Sequence, residues 1–305
     1  MMSKLLIFFL FLLLGGYVVG SAINVAPLMT PRPDFDAKAA CSFLEAQYVG
    51  EAGLLRAAVR AYPDNVTIYV ASDNLLAIRA LKLLGSNILA KEISTTIGRH
   101  YPELQGGDGL HEVILGERIG AFKAATLIDY GNIGNYSVKA HVFNGPYVAD
   151  WYEYADLVAY KGLNATWSGD FKTAKRAWVN LTNMWDGYGF RDKAFNGSYE
   201  AYKLALAYYL ARAAGINEYP LNEIVEIMSR LQADNGGVYT HYIVEGTVKP
   251  QGDVNTETTS IFVIACLGSP KSARSLDFYL KTNIATLGAM IAIVCIGYIL
   301  AKELL

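Results

Sequence analysis

Acidic side chains stand at the predicted starts of several strongly apolar helices in this 305-residue chain. The clearest case is GDVNTETTSIFVIACLG, residues 252–268, in which Glu257 precedes an apolar run. Two carboxyl groups that face each other can cleave a glycosidic bond, one as the acid and the other as base or nucleophile. The candidates for a catalytic pair are Asp156, Asp186, Glu200 and Glu257. Each of them can instead cap a helix or offset its dipole, and this structural role is the alternative.

Aromatic and polar residues are predicted in the same regions, and their types suit sugar recognition. Aromatic rings stack on the C–H faces of a sugar, while carboxylates and amides bind its hydroxyls. The residues predicted to bind a substrate are Asp73, Trp151, Glu153, Tyr154, Trp185, Tyr188, Tyr239, His241, Asp253 and Asn255.

Other chemistries have little support in the sequence. The four histidines, at positions 100, 111, 141 and 241, lack the spacing of a metal site. No EF-hand, P-loop, dinucleotide fingerprint or G-x-S-x-G motif occurs, so we predict neither a metal nor a cofactor. The net charge of -2, without a basic stripe, disfavours a nucleic-acid partner.

Apolar segments near both ends predict export and membrane anchoring. Residues 1–22 have Lys4, an apolar run and small residues, which is typical of a signal peptide; an uncleaved anchor is the alternative. Residues 282–301 are uncharged and long enough to span a bilayer. The expected order is signal peptide 1–22, linker 23–37, exported domain 38–270, juxtamembrane segment 271–281, transmembrane helix 282–301 and cytoplasmic tail 302–305. Most of the chain would then lie outside the cell, at its membrane.

Two further features bear on an exported chain. Five N-x-S/T sequons predict glycosylation, with chance as the alternative. They are at Asn65, Asn135, Asn164, Asn180 and Asn196. Cys41 and Cys266 are candidates for a disulfide, because such bonds persist outside the cell. Two separate buried thiols are the alternative.

The predicted helices alternate between amphipathic and almost wholly apolar sequences. We expect helices at 38–47, 73–85, 150–163, 172–184, 199–215, 221–233 and 255–268, and a glycine- and tyrosine-containing loop at 234–246. Amphipathic outer helices that shield apolar inner ones fit two concentric layers. The sequence therefore predicts a mainly α fold, an α/α toroid, with a small β-insertion at about 111–143.

The segment LQADNGGVYTHY…GDVNTETTSIFVIACL resembles the repeat of six-hairpin and terpenoid-cyclase-type α/α toroids. The matching residues are Gln232, Asp234, Gly236, Gly237, Tyr239, Thr258 and Thr259. The whole chain also looks like uncharacterised archaeal surface proteins that have a signal peptide and a C-terminal anchor. The resemblance implies a membrane-anchored extracellular carbohydrate-active protein, a glycoside hydrolase or polysaccharide lyase that uses rim carboxylates. The alternative is a non-catalytic surface protein that binds glycans or other envelope components.

Overall fold

The computed structural model describes residues 30–60, 65–105 and 109–269, which contain nine α-helices and eight strands. The helices are α1 Ala37–Ala46, α2 Leu75–Leu84, α3 Asn87–His100, α4 Leu110–Ile114, α5 Ala155–Trp167, α6 Phe171–Met184, α7 Ala201–Ala214, α8 Leu221–Met228 and α9 Thr256–Leu267. The strands are β1 Tyr48–Val49, β2 Leu54–Leu55, β3 Thr67–Tyr69, β4 Thr126–Ile133, β5 Tyr136–Val142, β6 Tyr199–Glu200, β7 Val238–Glu245 and β8 Thr247–Asn255.

Four of these helices form the centre of the fold. Helix α9 packs against α2 and α7, and α7 packs against α5. Helices α7 and α9 are buried along nearly their whole length, as their uniformly apolar sequences require. The amphipathic helices α3, α6 and α8 lie against α2, α5 and α7 respectively, each with one apolar side.

The helix ends follow from local hydrogen bonding. Asp36, Asp170 and Asn255 each accept a hydrogen bond from a backbone N–H in the first turn of α1, α6 and α9. Gly85 and Gly215 end α2 and α7 with positive φ, which suits glycine. Gly268, after α9, has an extended backbone instead.

Strands are more extensive than the sequence predicted. Strands β1 and β2 form a small hairpin. In a second sheet β5 lies between β3, to which it is parallel, and β4, to which it is antiparallel. The third sheet has the antiparallel order β6-β7-β8.

The expected mainly α toroid with a small β-insertion is therefore wrong. The insertion at 111–143 begins with helix α4, and only β4 and β5 fall within it. The segment 234–246 was expected to be a loop because of its glycines, but it contains β7, in which buried Val238, Thr240 and Tyr242 alternate with more exposed residues. This two-residue period is that of a strand with one buried face.

No helix in the three described stretches has the length and apolar character needed to cross a membrane. The predicted signal peptide at 1–22 and the predicted span at 282–301 both lie outside those stretches.

The residues of the toroid-like motif connect α1 to the turn before β7. Gln232 Oε1 accepts from the Asp36 N–H at 2.8 Å, and Gln232 Nε2 donates to the carbonyls of Asp36 and Gly236, each at 2.9 Å. Gly236 has φ +88°, and a Cβ there would lie 2.0 Å from the Ala39 carbonyl oxygen. Only glycine permits this approach, so the motif has a structural role at this point.

Candidate functional site

Four acidic residues from distant parts of the chain meet at the starts of the central helices. Asp73 lies in a π-helical turn, Val70–Asn74, directly before α2, and Asp156 lies in the first turn of α5. Glu200 is the N-cap of α7, and Glu257 lies in the first turn of α9. The charge of Glu257 acts on Asp73, and the charges of Glu200 and Asp156 act on Glu257. We refer to these four residues as the acid cluster.

Asp73 and Glu257 are the most strongly perturbed pair of the cluster. Asp73 is 3% exposed and accepts a hydrogen bond from Ser72 Oγ at 3.0 Å. Burial, and then the charge of Glu257, raise the pKa of Asp73 well above its usual value, although the Ser72 hydrogen bond lowers it. The pair therefore retains a proton at a higher pH than isolated carboxyls do.

Glu257 differs from Asp73 in its accessibility. It is only partly buried, and in the described part of the chain no group donates a hydrogen bond to its carboxyl. Burial raises the pKa of Glu257; the charge of His111 lowers it, and the charges of Glu200 and Asp156 raise it. Glu257 is thus a carboxyl with a raised pKa and free hydrogen-bonding capacity.

Asp156 has a hydrogen-bonded environment. The Tyr202 hydroxyl donates to Asp156 Oδ2 at 3.1 Å. Burial raises the pKa of Asp156, and the charge of Lys203 and the hydrogen bonds from the Leu157 N–H and Tyr202 only partly oppose this. Asp156 therefore has fixed partners on one side, which orient its carboxyl.

A buried lysine neutralises part of the negative charge. Lys203 is 4% exposed, and its ammonium forms ion pairs with Asp192 Oδ2 at 2.6 Å and with Glu200. Asp192 also accepts from the Ala155 N–H at 2.8 Å, next to Asp156 in the sequence. Because Lys203 is shared between Asp192 and Glu200, it leaves the other three carboxyls of the cluster without full compensation.

Tyrosine hydroxyls stand next to these carboxyls. Burial, and then the charges of Glu257 and Asp156, raise the pKa of Tyr160 well above its usual value. Burial and Asp156 have the same effect on the pKa of Tyr202. Both side chains therefore remain neutral hydrogen-bond donors at physiological pH.

Two histidines lie beside the cluster. His111, in α4, is buried, and its Nε2 is 3.5 Å from Glu112 Oε1. His241 is directly opposite Glu200 in the pairing of β6 with β7, and its Nδ1 is 2.9 Å from Thr240 Oγ1. Burial lowers the pKa of His241, Glu200 raises it and Lys203 lowers it, so the imidazole is mainly neutral at pH 7.

Asp186, a candidate for catalysis, is bound within its own loop. It accepts hydrogen bonds from the N–H groups of Tyr188 and Gly189, at 3.0 and 3.1 Å, and from the Tyr199 hydroxyl at 2.5 Å. It also forms an ion pair with Arg191. Burial raises the pKa of Asp186, but these hydrogen bonds outweigh it and the net shift is downward. The geometry gives Asp186 a structural role as a hydrogen-bond acceptor that is ionised at neutral pH.

Other predicted substrate-binding residues also have local partners. Glu153 forms an ion pair with Lys193 at 2.8 Å, and that ammonium lies 5.7 Å from the centre of the Tyr154 ring. Asp253 accepts from the N–H groups of Arg60 and Val254, and Asn255 caps α9. These contacts order the loops around the helix starts.

The predicted aromatic residues are dispersed. Trp185 is buried with its ring edge-on to Phe190, whereas Tyr188 is exposed. Tyr239 is partly buried beside β8, and Trp151 lines a separate cavity. Among the described residues the structure therefore does not assemble one aromatic platform over the acid cluster.

Cys41 and Cys266, the candidates for a disulfide, are both free thiols in the structure. The Cys41 thiol donates to Glu45 on its own helix, and Cys266 lies close enough to Arg212 for its pKa to be affected. This agrees with the alternative of two separate thiols.

Four of the five sequons are exposed, at Asn65, Asn135, Asn180 and Asn196. Asn164 is different: its Oδ1 accepts from the Ile119 N–H at 3.1 Å, and its Nδ2 donates to the Ile119 carbonyl at 2.9 Å. A glycan on Nδ2 would have to fit beside this half-buried contact, so we do not expect glycosylation of Asn164 in the folded protein.

Sequence reasoning missed part of the site, namely the roles of His111, Tyr160, Asp192 and Lys203 and the pairing of Asp73 with Glu257. One signal was present: Lys203 interrupts an otherwise apolar helix, YEAYKLALAYYLARAAG. A lysine at a buried helical position requires a nearby carboxylate. Asp192 had no such signal, since it lies in a polar loop.

The described residues include no group of three or more His, Cys, Asp or Glu side chains arranged to hold a metal ion.

Comparison with known proteins adds no relative. No protein-family model matches the chain, and searches of curated proteins and of solved structures give no significant match.

Proposed function

We propose that this protein is a carbohydrate-active hydrolase that cleaves a glycosidic bond with carboxyl groups of the acid cluster. The observation that carries the proposal is the meeting of four acids at the starts of α2, α5, α7 and α9. Helix capping accounts for one acid at a time. It does not account for buried carboxyls placed close enough to oppose each other's ionisation.

The two roles in the reaction require carboxyls in different protonation states. Glycoside hydrolysis needs a carboxylic acid that keeps its proton near neutral pH and a second carboxyl that is ionised. We assign the acid to Glu257, whose pKa is raised and whose side chain is only partly buried. We assign the base or nucleophile to Asp156, because the charge of Lys203 and the hydrogen bond from Tyr202 favour its ionised form and partly oppose the effect of burial on its pKa.

The remaining groups of the site support this assignment. The charges of Glu200 and Asp156 favour the protonated form of Glu257. The neutral Tyr160 hydroxyl can donate to a sugar hydroxyl or to the departing oxygen, whereas the Tyr202 hydroxyl donates to Asp156. Asp73 is too buried for direct contact with a polymer, so we give it a positioning role.

The test is cleavage of a panel of neutral and acidic oligosaccharides by the full-length chain. We expect Glu257→Gln and Asp156→Asn each to lower kcat by about 10²–10⁴-fold, the contribution typical of a general acid or base. The matched control is Glu226→Gln, an exposed acid of α8 paired with Arg230, which should leave kcat unchanged.

The pH profile gives a second readout of the same experiment. The wild-type rate should fall at high pH as Glu257 loses its proton, with a midpoint above the usual range of a glutamate. Binding of glycans without cleavage, equal in wild type and both variants, would overturn the hydrolase proposal. It would favour the non-catalytic glycan-binding alternative.

We also propose that the protein acts outside the cell, at the membrane surface. Exposure of four sequons supports this location, because a glycan needs a surface asparagine. Peptide mass spectrometry of the protein from its own cells should find glycans at Asn135, Asn180 or Asn196 but none at Asn164. Unmodified asparagines at all four exposed sequons, Asn65, Asn135, Asn180 and Asn196, would contradict this location.

A further inference from the structure

A cavity with a volume of about 290 Å³ lies beside α5. Its wall includes Ile119, Phe122, Tyr147, Trp151, Lys161 and Asn164. None of its lining residues belongs to the acid cluster. The volume is at the lower end of the range for ligand pockets, roughly 300–1,000 Å³, so the cavity suits one ring with its substituents.

Hydrogen bonds hold the walls of this cavity in place. The Asn164 amide binds both the N–H and the carbonyl of Ile119, at 3.1 and 2.9 Å. The Val148 N–H donates to the Phe122 carbonyl at 3.0 Å and joins the two wall segments. Phe122 meets the Trp151 ring edge-on, with centroids 6.0 Å apart. The cavity is therefore a formed feature with an aromatic side.

Lys161 supplies a positive charge to this aromatic cavity. It is partly buried, and its ammonium lies 5.7 Å from the centre of the Trp151 ring. Lys161 and Asn164 are three residues apart on α5, so they line the same side of the helix. Within residues 30–60, 65–105 and 109–269, Lys161 forms no ion pair. A partly desolvated ammonium without a counter-ion attracts an anionic group.

We infer that this cavity binds a uronic acid, with the sugar ring against Trp151 and Phe122 and the carboxylate on the Lys161 ammonium. Aromatic faces suit the C–H groups of a pyranose, and a single ammonium suits a singly charged carboxylate. The implication that the hydrolase acts on an acidic polysaccharide rests on the proposed function. The binding site itself does not.

The experiment is a titration of the full-length chain with glucuronate and galacturonate, followed by ligand-observed NMR. Glucose and galactose are the neutral comparators, and benzoate is the non-sugar carboxylate. We expect the uronates to bind at least about tenfold more tightly than the neutral sugars, as expected for a charge-assisted hydrogen bond. Lys161→Gln should weaken uronate binding by a similar factor, and Trp151→Leu should weaken it as well.

The control for charge is Lys172→Gln, which removes an exposed lysine of α6 and should leave binding unchanged. Absence of uronate binding, or equal binding to wild type and Lys161→Gln, would overturn the inference. Benzoate binding as tight as uronate binding would overturn the assignment to a sugar.

A variant of the acid cluster separates this inference from the proposed function. Glu257→Gln should bind uronate like wild type while losing cleavage. Lys161-dependent uronate binding by a chain that cleaves no glycan would uphold the cavity and reject the hydrolase. Cleavage of glycans by a chain that does not bind uronate would uphold the hydrolase and reject the cavity as a uronate site.

Discussion

At the scale of single residues, the acid cluster contains more buried carboxyl groups than nearby cations, and this excess affects their pKa values. The Lys203 ammonium forms ion pairs with the carboxylates of Glu200 and Asp192. Asp73, Asp156 and Glu257 are therefore only partly compensated by positive charge. Burial is the largest cause of the raised pKa of each of these three carboxyls. A raised pKa means that ionisation opposes folding, because the folded state holds its proton more tightly than the unfolded chain. The site therefore lowers the stability of the protein at neutral pH.

Replacing Asp73 by Asn tests this cost through its pH dependence. The unfolded Asp has a pKa of about 3.9, whereas the folded value is well above that. Between these two values the wild type loses stability as pH rises, because the unfolded state binds fewer protons. Asp73→Asn should therefore gain stability relative to wild type as pH rises above the unfolded value of about 3.9 and towards neutral pH. Urea unfolding across this range measures the difference.

Asp186→Asn provides a comparison of opposite sign. The pKa of Asp186 is lowered, so its contribution to stability is present above the unfolded value and is lost as pH falls. This variant should lose stability at neutral pH and approach wild type in acid. Parallel pH curves for the two variants would show that the Asp73 carboxyl is not perturbed.

Lys203→Met should be strongly destabilising, because it leaves Asp192 and Glu200 without their cation. Breaking a buried ion pair by removing one partner costs about 3–5 kcal/mol. The control is Lys193→Met, which removes a lysine that also binds two carboxylates, Asp150 and Glu153, but has a 47% exposed side chain. It should have little effect on the midpoint of urea unfolding. Similar midpoints for the two variants would contradict the buried network.

At the scale of elements, glycine sets the distance between three helices. A Cβ on Gly162 of α5 would lie 2.6 Å from Leu210 Cδ2 of α7 and 2.9 Å from Ala177 Cβ of α6. The absence of a side chain lets these helices approach closely. That approach brings the start of α5, with Asp156, next to the start of α7, with Glu200.

Gly162→Ala should therefore destabilise the protein by about 1–3 kcal/mol through overpacking, although alanine favours helix. Gly98, near the end of α3, is the matched control because a Cβ there meets only Gln105 Nε2, at 3.6 Å. Gly98→Ala should stabilise the protein by about 0.5–1 kcal/mol. Urea unfolding of both variants measures the two effects, and stabilisation by both would mean that α5 and α7 are further apart.

Element prediction from the sequence succeeded where the apolar pattern was strong. The helices expected at 172–184 and 255–268 occur as Phe171–Met184 and Thr256–Leu267, because their patterns follow the helical period. Strand β7 was taken for a loop, since Asn235, Gly236 and Gly237 precede it and its buried positions include Thr240. Pairing with β6 and β8 decides the strand, and a single sequence does not reveal its partners.

At the scale of the whole molecule, the acid cluster depends on contacts between distant segments. The sequence indicated that acids start several apolar helices, and this made Asp156, Glu200 and Glu257 candidates. It also placed Asp73 in the predicted site, but it did not indicate that Asp73 and Glu257 lie close enough for the charge of one to raise the pKa of the other. That proximity follows from α9 packing on α2, which only the tertiary structure fixes. For the same reason Asp186 could not be distinguished from the cluster acids before its loop was known.

Contacts between distant segments also join the start of α1 to the last third of the chain. Besides the Gln232 bonds to Asp36, the Asp34 N–H donates to Ser229 Oγ at 2.9 Å. A second set of contacts joins residues 56–60 to residues 253–256. For example, the Thr256 N–H donates to the Ala57 carbonyl at 2.8 Å. Residues 56–60 thus anchor the start of α9, where Glu257 lies.

Gln232→Met tests whether this anchor matters for the whole fold. Methionine keeps the shape of the side chain but removes the hydrogen bonds to Asp36 and Gly236, and each intramolecular hydrogen bond contributes about 0.5–1.5 kcal/mol. We expect a loss of about 1–3 kcal/mol and faster hydrogen exchange in α1, while the control Gln251→Met, at an exposed position of β8, changes neither. Because α1 also packs on α9, exchange should rise in α9 as well. Faster exchange confined to residues 34–36 would show that the anchor acts locally and does not support the helices that carry the acid cluster.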